Sequence, residues 1–586
     1  MTRMRWLVAA CVLAAAVPAA QQPSVDDFFR TVSDGWVRLN PNLAVATRYF
    51  SGEEQDRLEQ QISSPSDEAE RARLAYIRRG LQDLSRFDRT RLSDAQRLSA
   101  DVLRYHLQAY VDGDRYDDYV FPLNQHGGAN IWLPNTLTVQ HPLRTPKDAS
   151  NYVVRLGQVA PRMAEAVVEA RQRAESDLIP PRFILTLTIH QMRRFIEMPP
   201  AQNPLVTSLV ERASSIQDLA ADARTALAAQ AERTVAEQVY PEWKKAIAFL
   251  ESLVPRSADR AGLWRLEGGA EAYQHFLKAF TTTELTPDEI HAIGLKKVAE
   301  LERNMDGILR KLGRSDGTVL QRVAQMKRDL SYPVTEDGRK QIMADIGAMI
   351  REAERLSAKQ FDARPKVAVI AQPYPRFREA NAAASYTPPP LDGSRPAIFQ
   401  MPLRPDQMTR FGLRTLVLHE TVPGHHFQIG LMVENVSLPK FRQARLFGGI
   451  AAITEGWALY AERLAAESGW YADDPEGLLG QMEKELWRAR RLVVDTGLHA
   501  KRWTREQAID YGIEASEVER YVANPGQACS YMIGQLKILE LRERAKAELK
   551  DRFSERAFHN AVLGPGAVPL HMLEQEVDRY IRAGRN

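Results

Sequence analysis

The chain has 586 residues, 44% hydrophobic and 26% charged, proportions of a soluble globular protein that argue against wholesale disorder. That length exceeds what one ordinary core supports, so two or more lobes are expected, with core enough to fold without disulfides or a structural metal. The net charge of +3 falls to about +1 once Arg3 and Arg5 are set aside, which leaves no basic field of the kind nucleic acid requires.

Taken from its start, the chain opens with a short basic stretch, Met1 to Arg5. An apolar run follows from Trp6 to Val17 and ends in Pro18-Ala19-Ala20. That order predicts a secretory signal peptide over residues 1–20, and the apolar run is too short for a permanent membrane span. Val8-Ala9-Ala10-Cys11 resembles a lipoprotein box, but only five apolar residues precede the cysteine. The expectation is an exported protein, periplasmic or secreted, with no span once the leader is removed. Cleavage would leave Cys529 as the single cysteine, so any transition metal must be held by His, Asp or Glu.

Beyond the leader, helical periodicity dominates. It predicts helices over 65–85, 93–112, 158–177, 206–239, 241–254 and 286–312. Ser93 with Gln96, and Thr286 with Glu289, have the spacing of capping boxes at two of these starts. Residues 119–146, with Gly, Pro and Asn among apolar residues, read as an ordered loop. The helical pattern resumes over 341–357, 408–421, 450–468, 475–500, 504–512 and 525–550. The Pro-rich stretch 365–403 interrupts it with two β-like runs, Val367 to Ile370 and Ala397 to Gln400, which predict a small sheet ahead of the histidine-bearing helix. The second run offers an edge for pairing with an extended peptide. The fold class is mainly α: a helical lobe over 21–270, then a second lobe over 271–586, with a soft boundary near 255–285.

The chemistry concentrates at His419-Glu420-Thr421-Val422-Pro423-Gly424-His425-His426. In zinc peptidases with a His-Glu-x-x-His helix, two histidines four apart share a face and bind zinc. The intervening Glu polarises the metal-bound water. Here position i+4 is Pro423, and the next histidines fall at i+6 and i+7. At about 100° per residue an i+6 side chain points away from position i. His425 therefore joins His419 only if the helix breaks between them, which Pro423 and Gly424 permit. His426 returns to the same face about 10 Å along the axis. The geometry favours His425 and leaves His426 open, as an alternative ligand or a substrate-binding group.

A third ligand is expected from Ile453-Thr454-Glu455-Gly456-Trp457, with Glu455 as metal ligand and Glu462, seven residues on, supporting a ligand from behind. Glu420 is then the general base. Three of twelve histidines within eight residues, followed by an acid-bearing helix, make chance the poorer explanation.

The run His419 to His426 resembles the hallmark of the DUF885 family. The likeness extends to Thr454-Glu455-Gly456-Trp457-Ala458-Leu459-Tyr460, to Arg491 through His499, to Asn524 through Gly534 and to Thr286 through Gly294, as one unit over about 24–582. The resemblance implies a mainly helical, two-lobed fold similar to gluzincin peptidases, with an active-site cleft between lobes, and an exported protein.

Within these motifs Arg491, Asp495 and His499 share a helix stripe. They either order the site, with His499 reaching a substrate carbonyl or ligand carboxylate, or form an intrahelical ladder. Tyr531 is a candidate for stabilising an oxyanion, or else a core tyrosine. The expectation is one zinc per chain acting on peptide bonds of short peptides. The competing readings are hydrolysis of a non-peptide amide or ester, and a non-catalytic exported binding protein with a structural metal.

Overall fold

The two predicted capping boxes start long helices. The Ser93 hydroxyl accepts from Gln96 N at 3.2 Å while the Gln96 side chain accepts from Ser93 N at 3.0 Å, opening the helix Asp94–Gly113. Thr286 and Glu289 do the same for Pro287–Lys311. Each box satisfies two backbone donors that a helix start would otherwise leave unpaired. The computed structural model describes residues 23–374, 376–379 and 383–585. The leader expected over 1–20, and Cys11 with it, lie outside the described residues.

The described chain is mainly helical with one three-stranded sheet. Two expectations of local structure need correction. Residues 119–146 include a short helix, Ala129–Asn135, followed by one wide turn over Thr136–Gln140. Residues 206–239 divide into Pro204–Ala213, Ala221–Thr234 and Val235–Val239 rather than one helix.

The lobe boundary also moves. One apolar core contains Phe29, Trp36 and Leu107 from the start of the chain together with Leu277, Phe441, Trp457 and Leu573. A second core is drawn almost wholly from residues 121–253, with Leu133, Tyr152 and Trp243 among its members. The first helix, Val25–Leu39, therefore packs against the C-terminal half, and the Trp36 indole donates to the Leu446 carbonyl at 2.7 Å. A division at 270 does not follow the cores, because helical periodicity shows which face is buried but not against what. Fully burying a large apolar side chain contributes about 1.5–3 kcal/mol.

The sheet orders its strands β1 (Val369–Pro373), β3 (Ala397–Met401), β2 (Ser385–Thr387). β1 pairs parallel with β3, Val369 opposite Ala397, and β2 pairs antiparallel with it, Tyr386 opposite Phe399. The run 397–400 is thus the central strand, not an edge open to a peptide. Phe399 and Met401 of β3 share an apolar cluster with Ile342 and Ile346 of the helix Glu336–Ser357 and with Leu413 and Val417. The last two lie on the helix Arg410–Glu420, so the sheet seats the helix that ends in His419 and Glu420.

Candidate metal centre

The helix Arg410–Glu420 starts on Thr409, whose hydroxyl accepts from Gly412 N at 3.1 Å, and stops at Thr421, where φ −116° and ψ −110° leave helical space. A cis peptide joins Val422 to Pro423. A new helix, His425–Glu434, begins two residues later. The break between His419 and His425 is the one the i+6 spacing demands. Gly424 allows it by close approach: a Cβ there would sit 2.0 Å from the His419 carbonyl oxygen and 2.4 Å from that of Leu418. The Trp457 indole donates to the Pro423 carbonyl at 2.8 Å and ties the break to the helix Ala451–Glu467.

That helix is itself pressed against Ser530–Leu549. A Cβ at Gly534 would meet the Ala452 carbonyl oxygen at 1.8 Å, and one at Gly456 would meet the Gly534 Cα at 2.5 Å. Glycines in the two downstream motifs thereby set how deep the Glu455 helix lies.

The result is a group of three ligand-capable side chains, His419, His425 and Glu455, whose nearest donor atoms all lie within 4.8 Å of one another. Glu455 Oε2 stands 3.6 Å from His419 Nε2 and 3.4 Å from His425 Nε2. These separations exceed an ordinary hydrogen bond, about 2.7–3.2 Å. They match the edge of a tetrahedron with bonds of about 2.0–2.1 Å, roughly 3.3 Å, which is what two nitrogens and a carboxylate oxygen around zinc require. The donor set therefore fits that ion, with the fourth tetrahedral position left to another group.

Behind His419, Nδ1 lies 2.7 Å from Glu462 Oε1, and Glu462 is fully buried. That bond fixes the imidazole so that Nε2 faces Glu455 and His425. Arg488 Nη2 stands 3.4 Å from the same Glu462 oxygen and compensates its charge. Burial works against a charged His419, but the neighbouring Glu455 and Glu462 carboxylates outweigh it and lift its pKa to about 9. Burial likewise opposes a charged Glu455, and His425 and His419 overcome it, holding that carboxyl well below the usual range. Glu420, beside His419, is 7% exposed and makes no hydrogen bond or ion pair to another side chain among the described residues.

A model of the family described as "Bacterial protein of unknown function (DUF885)" matches residues 46–577. The chain belongs to that family. The crystal structure of "the putative lipoprotein from Colwellia psychrerythraea" superposes on this DUF885 protein with a TM-score of 0.90 at 32% identity, covering 95% of this chain and 99% of that one. "A putative lipoprotein of unknown function from Shewanella oneidensis" follows the same fold with a TM-score of 0.70 at 19% identity, covering 94% and 99%. No curated protein matches the chain.

Other residues singled out in this DUF885 sequence sit elsewhere. His426 is outside the ligand group: its Nδ1 lies 3.2 Å from the Tyr386 hydroxyl, and Val367 hydrogen-bonds the ring through its backbone. Burial pushes its pKa down to about 4, that backbone bond opposing. His499 is buried against other segments of the fold. Its Nδ1 accepts from Leu263 N and its Nε2 donates to the Tyr521 carbonyl, both at 3.1 Å, so both ring nitrogens are used. Nor do Arg491, Asp495 and His499 form a ladder. Asp495 accepts from the Tyr273 hydroxyl at 2.6 Å and from Gly526 N, while Arg491 donates to Glu517 at 2.9 Å. Each stripe residue binds a different neighbouring segment, which spacing on one helix does not reveal. Tyr531 is half-buried beneath the Arg491 guanidinium, 4.5 Å from Cζ to ring centroid.

Two residues at the site went unread in the sequence. Tyr386 on β2 packs its ring, tilted, near both His425 and His426, and its only local signal was a β-like triplet ahead of three prolines. Arg488 was one turn before the noted Arg491, and nothing in a helix of many arginines marked it.

Proposed function

We propose that the protein is an exported zinc-dependent hydrolase that cleaves peptide bonds, with one ion held by His419, His425 and Glu455. The reading is carried by one observation: the 3.4 and 3.6 Å spacing of Glu455 from two imidazole nitrogens, with a buried carboxylate behind His419. Zinc bound there supplies Lewis acidity to a substrate carbonyl and lowers the pKa of a coordinated water.

This chain's own residues do the rest. Glu420 takes the proton from the attacking water and delivers it to the leaving amine. Glu462 keeps the His419 proton on Nδ1, so that Nε2 offers its lone pair. The fold is read as akin to helical gluzincin peptidases with the site in a cleft, which fits short peptides. A Glu beside the first histidine favours catalysis over a purely structural metal, which needs no base there. Export is supported by the basic-then-apolar start and by the likeness to proteins described as putative lipoproteins. Among the described residues no helix is long and apolar enough to cross a membrane.

The deciding experiment is metal content by mass spectrometry, on the purified protein and on His419→Ala. About one zinc per native chain, and little in the variant, is expected. Absence of stoichiometric metal after reconstitution with zinc would overturn the reading. A peptide-library screen of the loaded protein then tests the substrate.

A further inference from the structure

One wall of the site is built from the helix Pro475–His499, which presents Lys484, Arg488 and Arg491 at i, i+4 and i+7, a single face. Arg488 belongs to the metal centre through Glu462. Arg491 has a different situation. Its side chain is 4% exposed, and one nitrogen donates to Glu517 at 2.9 Å. Nε and Nη1 are buried and make no hydrogen bond of good geometry, the Tyr531 side chain being a looser partner of the guanidinium. Glu517 has little left to offer, since it also accepts from Arg520 and from the Tyr521 hydroxyl. Burying guanidinium donors unsatisfied costs free energy, and such groups in a folded protein call for an explanation.

The surroundings suggest one. Arg491 Cζ lies over the Trp487 ring, 3.9 Å from its centroid, and over Tyr531 at 4.5 Å, so two aromatic rings hold the guanidinium in place. The Tyr531 ring also approaches Arg488, at 6.0 Å. Tyr531 therefore bridges Arg491 to the residue that holds Glu462 and His419.

We propose that Arg491, with the Tyr531 hydroxyl beside it, receives a carboxylate of the substrate. The hydrolase would then act on short peptides anchored by a carboxylate. A planar, permanently charged guanidinium with free donors is the group best suited to that anion. This gives Tyr531 a task other than holding an oxyanion. The inference rests on the hydrolase reading for its substrate, but the binding it asserts is separable from turnover. The carboxylate has two possible sources, the C-terminus of the peptide or an acidic side chain.

The test is calorimetric binding to the zinc-loaded full chain carrying Glu420→Gln, so that turnover does not consume the probe. The probes are N-acetyl-dialanine, its C-terminal amide, and N-acetyl-glutamyl-alaninamide. A C-terminal site binds the first roughly 10- to 100-fold more tightly than the second. A side-chain site gives that preference to the third over the second. Adding Arg491→Gln abolishes the preference, and Arg491→Lys restores part of it. Because the acid and amide are compared on a chain with Arg491 intact, a poorly folded Arg491 variant does not stall the test. Equal binding of all three probes, binding of none at millimolar concentration, or a preference unchanged in a folded Arg491→Gln chain overturns the proposal. Acid-selective, Arg491-dependent binding by a protein whose native form cleaves no peptide would instead overturn the hydrolase and leave this site standing. Cleavage of acids and amides alike, indifferent to Arg491, would do the reverse.

Discussion

His419 Nδ1 and Glu462 Oε1 are 2.7 Å apart, although 43 residues separate them and the carboxylate has no exposure to solvent. A buried carboxylate is expensive to desolvate unless it is paired, and here His419 and Arg488 Nη2, at 3.4 Å, share one of its oxygens. The arrangement orients an imidazole rather than adding stability, since an apolar pair of similar volume would cost the fold less.

Glu462→Gln keeps the shape of the contact and removes its charge. Zinc affinity should fall roughly 10- to 100-fold, the usual cost of losing the partner of a metal-bound histidine. Competition against a chromophoric chelator measures it. Unchanged affinity would mean that Glu462 only fills space.

Gly424→Ala should damage the site more than its size suggests. The new methyl would sit 2.0 Å from the His419 carbonyl oxygen, against backbone that cannot swing aside. The expected outcome is a chain of near-native helix content by circular dichroism that no longer retains zinc. Normal zinc content would show that the break between His419 and His425 has more room than its geometry allows.

At Gly534 the same change should act on stability. Its Cβ would lie 1.8 Å from the Ala452 carbonyl oxygen, forcing the helices Ala451–Glu467 and Ser530–Leu549 apart. Overpacking of this kind costs about 1–3 kcal/mol or more. A lowered denaturant midpoint is expected, with Glu455 displaced and zinc bound more weakly.

Much of the His419, His425 and Glu455 grouping was legible because its signals are local. Pro423 and Gly424 announce a break in a helix, and the break decides that His425, at i+6, meets His419. Glu455 and Glu462 share a helix face by spacing alone. What escaped depends on contacts distant in sequence. β-propensity placed a strand at Ala397, but the chain order of strands does not reveal that β3 is central. His499 and Asp495 looked like site residues by their stripe, yet their partners Leu263, Tyr521 and Tyr273 come from other segments. Trp36 gave no hint that it would bond to Leu446, and so the cores divide where periodicity alone does not predict.

Stability should fall on mild acidification. Burial pushes His106, His126, His426, His499 and His559 to pKa values of about 4, and His141 to about 3. Each folded-state value lies below the unfolded one, about 6.5. The unfolded chain therefore binds more protons between pH 6.5 and 4. The stability these neutral rings contribute is full above about 6.5 and is lost as pH falls. Asp495 and Glu169 work the other way: burial raises each to about 7, so their burial cost grows as pH rises from about 4 to 7. Six histidines outweigh these two carboxyls. Denaturant midpoints measured at pH 7, 6 and 5 should decline in that order, and a flat series would contradict the burial of these rings as neutral groups.

Glu420→Gln separates binding from chemistry. The carboxylate is buried beside His419 and pairs with no other side chain among the described residues, so an amide of the same shape should neither unfold the helix end nor disturb the ligand group. Zinc content should stay near one per chain, because Glu420 supplies none of the three ligand atoms. Turnover of any peptide the native protein cleaves should fall about 10²- to 10⁴-fold, the usual contribution of a positioned general base. Zinc content and kcat have to be measured on the same preparation. Loss of both together would make Glu420 part of the metal's support, and full activity with full zinc would remove it from the reaction altogether.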